Sequence, residues 1–122
     1  MSDYLDSRDI AAPLTRQMSE NMCRLLVAIN MLRDRYSKPL IVSSGYRPAS
    51  LNAAAGGRPG SAHMTCEAID IADANGELKK WLVANPSTLE DLDLYQEDPT
   101  VTTTWVHLQT RKTASGKRIF LP

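Results

Sequence analysis

Apolar side chains in this chain recur with two distinct periods, and the switch between them marks out a compact α+β order. After a polar lead-in over residues 1–12, Met18, Met22, Leu25, Leu26, Ile29 and Leu32 fall three and four residues apart. That spacing predicts an amphipathic helix from about Thr15 to Tyr36, with its methionines as core filler. Pro39 stops the helix, and LIVSS reads as a buried strand running into Gly45-Tyr46-Arg47-Pro48. Residues 49–55 favour a short helix, and GGRPG forms a flexible connection of the kind that carries binding groups. In EAIDIAD, Ile69 and Ile71 share one parity and Asp70 the other, so a strand here buries the isoleucines and aims Asp70 the opposite way. Asn75-Gly76 makes a turn, GELKKWLVAN a second helix ended by Asn85-Pro86, and LDLYQ and TWVHLQT two antiparallel strands. RIFLP adds a final edge strand. Repeats and low-complexity segments are absent from the pattern.

The same parity places chemistry. Val106 and Leu108 take the core side of TWVHLQT, which leaves Trp105, His107 and Gln109 on the other face. Two strands thus each present one ligand, Asp70 and His107, to a common concave surface, and His63 arrives from the preceding turn. Two imidazoles and one carboxylate match the three-ligand, open-position arrangement of a catalytic zinc site. The chain has only two histidines, and both stand where such a site needs them. The bland alternative is a capping Asp70 with two surface histidines.

Bulk properties narrow the function class. At 122 residues with 43% hydrophobic content, the chain has the size of one domain with one core, residues 1–122. Lys and Arg number 14, Asp and Glu 14, and neither sign forms a run, so nothing favours nucleic acid or anionic lipid as a partner. A small-molecule or peptide substrate and a monomeric protein are expected. Cys23 lies in the helical pattern and Cys66 in the turn between two proposed ligands, a placement that implies free thiols rather than a disulfide framework. Cys66 as a fourth ligand is disfavoured against a small residue packing behind the site. No signal-peptide pattern opens MSDYLDSRDIAAPL and no run reaches transmembrane length, so synthesis and folding in the cytoplasm are expected, without membrane insertion.

The stretch LIVSSGYRPASLNAAAGGRPGSAHMTCEAIDIAD resembles the core of the zinc D-Ala-D-Ala carboxypeptidase-like metallopeptidases, a group that includes D-alanyl-D-alanine dipeptidases, phage L-alanyl-D-glutamate endopeptidases and hedgehog signalling domains. The likeness rests on SSGYRP, on Ser61-x-His63 with Asp70 seven residues after the histidine, and on Trp-x-His ending at His107; it covers residues 13–122. It implies a small antiparallel sheet whose concave face holds one zinc ion through His63, Asp70 and His107, with helices packed behind. It further implies hydrolysis of a stem-peptide amide bond of peptidoglycan, of D-Ala-D-Ala or L-Ala-D-Glu type, and Arg47 as the group gripping a substrate carboxylate or the oxyanion. A phage or prophage lysis enzyme, acting at the cell wall after release by a holin, fits the compact size.

One position departs from the family. Its general base is an acidic residue often three positions before the last ligand, and here Thr104 stands there. Leu94 and Glu97 take opposite strand parities, so with the leucine buried Glu97 faces the cleft as the expected base, and Asp98 substitutes if it does not. Ser61 is expected to bind substrate or orient the ligand, and Tyr46 and Trp105 are candidate cleft walls, although core burial is the favoured role for Trp105. Arg58 is placed to meet an acidic stem peptide. Without an acid before His107, the alternative function is a non-catalytic, metal-stabilised module of a virion or wall-binding protein.

Overall fold

The computed structural model describes residues 2–122, so Met1, the first residue of the expected lead-in, lies outside the described residues. Helix α1 covers Ser2–Leu5 and the long helix α2 covers Arg16–Tyr36. Thr15 caps α2 by accepting a hydrogen bond from the Met18 amide, and Ser37 closes it in the left-handed conformation at φ 63°. Strand β1 (Val42–Ser44), helix α3 (Ala49–Ala54) and a short 3-10 turn over Ala62–Thr65 precede strand β2 (Ala68–Ala72). Helices α4 (Glu77–Ala84) and α5 (Thr88–Asp91) then lead into β3 (Tyr95–Glu97), β4 (Trp105–Gln109) and β5 (Ile119–Phe120).

The five strands form one open sheet in the order β1-β2-β4-β3-β5. All pairs are antiparallel except β3 with β5, which run parallel, so the expected edge strand exists but pairs in the less common sense. Ile69, Ile71, Val106 and Leu108 are completely or almost completely buried on one face. There they meet Leu25, Ile29 and Leu32 from α2, Leu78 and Leu82 from α4, and Leu89. The other face of β2 and β4 carries Asp70 and His107. The period-2 reading of EAIDIAD and TWVHLQT and the period-3.6 reading of α2 therefore describe one α+β core from both sides.

Three local expectations are corrected. The lead-in is not merely polar: Tyr4 of α1 is 1% exposed, and its hydroxyl donates to the Ala68 carbonyl at 2.8 Å. A lone aromatic in a polar stretch carries no period and so gives no signal. LIVSS is not a buried strand. Only Val42–Ser44 pair, at the sheet edge, and Ile41 is 67% exposed. An unbroken apolar run does not distinguish an edge from a centre. LDLYQ is shortened because Leu92 closes α5 and Asp93 adopts φ 53°, which confines the strand to Tyr95–Glu97.

The two cysteines are free, Cys23 on the exposed face of α2 and Cys66 fully buried. Burial pushes the Cys66 thiol up to about 11, which suppresses the reactive thiolate. Iodoacetamide at pH 8 is therefore expected to modify Cys23 alone in the native protein, and Cys66 only after unfolding. Mass mapping of native protein with Cys66 alkylated would contradict this packing.

Candidate metal centre and cleft

Register does most of the positioning. In the β2–β4 ladder Asp70 lies directly opposite His107, so both side chains rise from the same face of neighbouring strands. The Asp70 Oδ1 and His107 Nδ1 atoms are 2.9 Å apart. His63 comes from the 3-10 turn, where the Ser61 hydroxyl accepts from the His63 amide at 3.3 Å and starts the turn. Its ring is 1% exposed; Nδ1 donates to the Gly45 carbonyl at 2.7 Å, and Nε2 lies 3.2 Å from Asp70 Oδ1. The Arg47 amide donates back to the His63 carbonyl at 3.1 Å, so the end of β1 and the ligand turn hold each other.

The donor set fits zinc. The three ligand atoms lie within 4.8 Å of one another. Bonds of about 2.0–2.1 Å at tetrahedral angles set neighbouring ligand atoms roughly 3.3 Å apart, close to the 3.2 and 2.9 Å found. Chemistry points the same way. With its Nδ1 proton given to Gly45, His63 turns Nε2 towards Asp70, the nitrogen that a neutral ring offers to a metal. A carboxylate and two imidazole nitrogens converging in this way can share one cation. Burial alone would raise the Asp70 carboxyl, but hydrogen bonds and charge from His107 and His63 outweigh it and hold the group well below the usual carboxylate range. Asp70 is therefore charged at neutral pH, as a ligand must be. His107 is pulled down by burial and pulled up more strongly by Asp70, with a net upward shift. Cys66, in the left-handed position that ends the turn, is fully buried in the hydrophobic core and is not one of the three candidate ligands.

These residues floor an open cleft of about 350 Å³, whose walls include Arg47, Arg58, Ser61, Glu97 and Trp105. Arg47 lines the cleft, and its buried Nε has no hydrogen-bond partner among the described residues. Tyr95 and Gln96 pair with Gln109 and Leu108, and one further step of that register sets Glu97 beside His107 on the cleft face. Asp98 is engaged elsewhere: its carboxylate accepts from the Thr100 amide and hydroxyl at 2.9 and 2.7 Å in a local turn. Thr104 is exposed and is not among the cleft-lining residues. Trp105 lies half-buried in the cleft wall rather than in the core. Tyr46 does not join it. Its ring is 3% exposed in the core and its hydroxyl donates to the Ala12 carbonyl at 2.8 Å, so the expected contact of Tyr46 with substrate is replaced by a structural one.

Two cleft residues escaped the sequence reading as chemistry. Phe120 stands edge-on to the His107 ring at 6.1 Å, and Gln109 reaches the outer nitrogen of His107 at 2.8 Å. Parity had already put Gln109 on the ligand face, whereas nothing local to RIFLP points at His107.

A small α+β fold thus carries, in an open cleft, a His-Asp-His group that could hold one metal ion. The sequence model of the peptidase M15 family matches residues 5–109, and the chain belongs to that family of zinc-dependent peptidases. No curated protein and no solved structure matches the chain.

Metal analysis of the purified protein is expected to find one zinc per chain, and His63→Ala to abolish stoichiometric binding. Gly45 supports that ligand closely, since an added Cβ would meet the Tyr4 carbonyl oxygen at 2.1 Å. Gly45→Ala is therefore expected to destabilise the fold by about 1–3 kcal/mol and to weaken zinc binding together with it. Wild-type melting and zinc affinity in this variant would refute the support assigned to Gly45.

Proposed function

We propose that the protein is a zinc-dependent peptidoglycan peptidase that hydrolyses an amide bond of the stem peptide, of D-Ala-D-Ala or L-Ala-D-Glu type. The observation that carries this reading is the convergence, in one cleft, of the His63-Asp70-His107 group with an acid, Glu97, and a guanidinium, Arg47. Family membership supports the peptidase chemistry. Held by the three ligands, zinc supplies Lewis-acid chemistry, acidifying a water molecule and polarising the scissile carbonyl.

The chain's own residues do the rest. Glu97 takes the proton of the attacking water and returns it to the departing amine nitrogen. It thereby replaces the acid that the family places nearer the last ligand, where this chain has Thr104. Arg47 donates to the developing oxyanion or to a substrate carboxylate, for which its forked geometry suits it. Ser61 hydrogen-bonds the substrate at the cleft wall, Trp105 shapes that wall, and Arg58 faces the acidic groups of the stem peptide. Among the described residues no helix is long and apolar enough to cross a membrane. Action at the cell wall as a monomer, in a phage-type lysis role, completes the proposal.

The test is release of new amino groups from purified peptidoglycan, with products identified by mass. Glu97→Gln is expected to lower kcat about 10²–10⁴-fold with zinc content unchanged, and Arg47→Ala to lower it about 10²–10³-fold. Chelation should stop the reaction and added zinc restore it. No cleavage of sacculi or soluble stem peptides by folded, zinc-loaded protein would favour instead a wall-binding module, a reading that the Thr104 departure also supports.

A further inference from the structure

We propose that Gln109 is a positioning residue for the metal, which holds the His107 imidazole in the tautomer that presents Nδ1 to the ion. The inference rests on the metal centre alone and does not need the peptidase reading. His107 has one nitrogen turned towards Asp70 and the other, Nε2, 2.8 Å from Gln109 Oε1. An amide oxygen only accepts, so Nε2 carries a proton, and in the neutral ring that binds a metal the lone pair is then on Nδ1.

The direction of the Gln109 amide is itself determined. Its nitrogen donates to the Arg111 carbonyl at 2.9 Å. A flipped amide would set its oxygen against that carbonyl and lose the bond to Arg111. Gln109 is 7% exposed, so water does not readily replace either partner.

Arg111 extends the same network to the other imidazole. Its guanidinium donates to the Gly60 carbonyl at 2.6 Å, the Thr65 hydroxyl at 2.7 Å and the Glu67 carboxylate at 3.1 Å. These groups bracket the segment that carries His63. The end of β4 therefore ties together the two loops and strands that deliver the histidines, and Gln109 is the member that touches a ligand. Both histidines thus meet a neutral oxygen on the nitrogen away from the metal, Gly45 for one and Gln109 for the other.

The experiment compares the full chain with Gln109→Leu and Gln109→Glu. Zinc affinity is measured by competition with a chromophoric chelator, and the His107 ring nitrogens are assigned by long-range ¹H–¹⁵N NMR of the zinc-loaded parent. Loss of the acceptor in Gln109→Leu is expected to weaken zinc binding about 10–100-fold. Gln109→Glu, which keeps an acceptor but not the Arg111 bond, should stay within a few-fold of the parent. The parent spectrum should show zinc on Nδ1 and a proton on Nε2. Three results would each overturn the assignment: Leu within twofold of the parent, Glu as weak as Leu, or Nε2 ligation in the parent. A parent that takes up no zinc would overturn the metal centre as well, which separates the two failures.

Discussion

The pairing register of β2 with β4 is the constraint on which the rest of this protein depends. Setting Asp70 opposite His107 gives one face two ligands and the other face Ile69, Ile71, Val106 and Leu108. A one-residue slip of β2 would carry both isoleucines to the cleft and drive Asp70 into the core. Two buried aliphatic side chains are worth about 3–6 kcal/mol, a large part of the roughly 5–15 kcal/mol by which a domain is stable, before the cost of an unpaired carboxylate is counted. The hydrophobic effect thus enforces the geometry of the metal group, although no apolar atom is a ligand.

The third ligand is held by different means. His63 sits on a one-turn 3-10 segment with no ladder to align it, and its position comes from backbone and side-chain groups of other segments. Gly45 accepts from its ring, Arg47 binds its carbonyl, and Asn21 of α2 donates to the Thr65 carbonyl at 3.0 Å at the end of the turn. Tyr4 closes this arrangement from beneath: its carbonyl accepts from the Tyr46 amide while its ring fills the space that a side chain at residue 45 would need. The helix at the start of the chain, which contributes nothing to the cleft, therefore supports the loop that carries a ligand.

The elements most legible in the sequence were those with an uninterrupted period and one clear burial direction. Helix α2 spans nearly its predicted length, and β2 and β4 bury the predicted residues, because alternation over five residues leaves one orientation compatible with a core. Legibility failed where the signal was a single residue or a uniform run. Tyr4 and Tyr46 are both buried aromatics with hydroxyls bonded to backbone carbonyls, yet neither lies in a pattern that says so. LIVSS alternates too little to reveal that it ends at an edge.

By itself the sequence determined the parity of the two central strands and the amphipathic helix behind them, which follow from local period, and through its family resemblance it singled out two histidines and one aspartate as the candidate metal group. Tertiary structure decided which of the remaining candidate side chains share the cleft. Glu97 reaches it because β3 pairs with β4 in one register, and Asp98 does not because its carboxylate closes a turn. Gln109 contacts His107 with an amide oriented by Arg111, and Phe120 arrives at the His107 ring through a parallel pairing at the sheet edge. These are contacts between segments far apart in the chain, or choices among rotamers and amide directions, and such choices are made by packing and hydrogen-bond partners that no local period encodes.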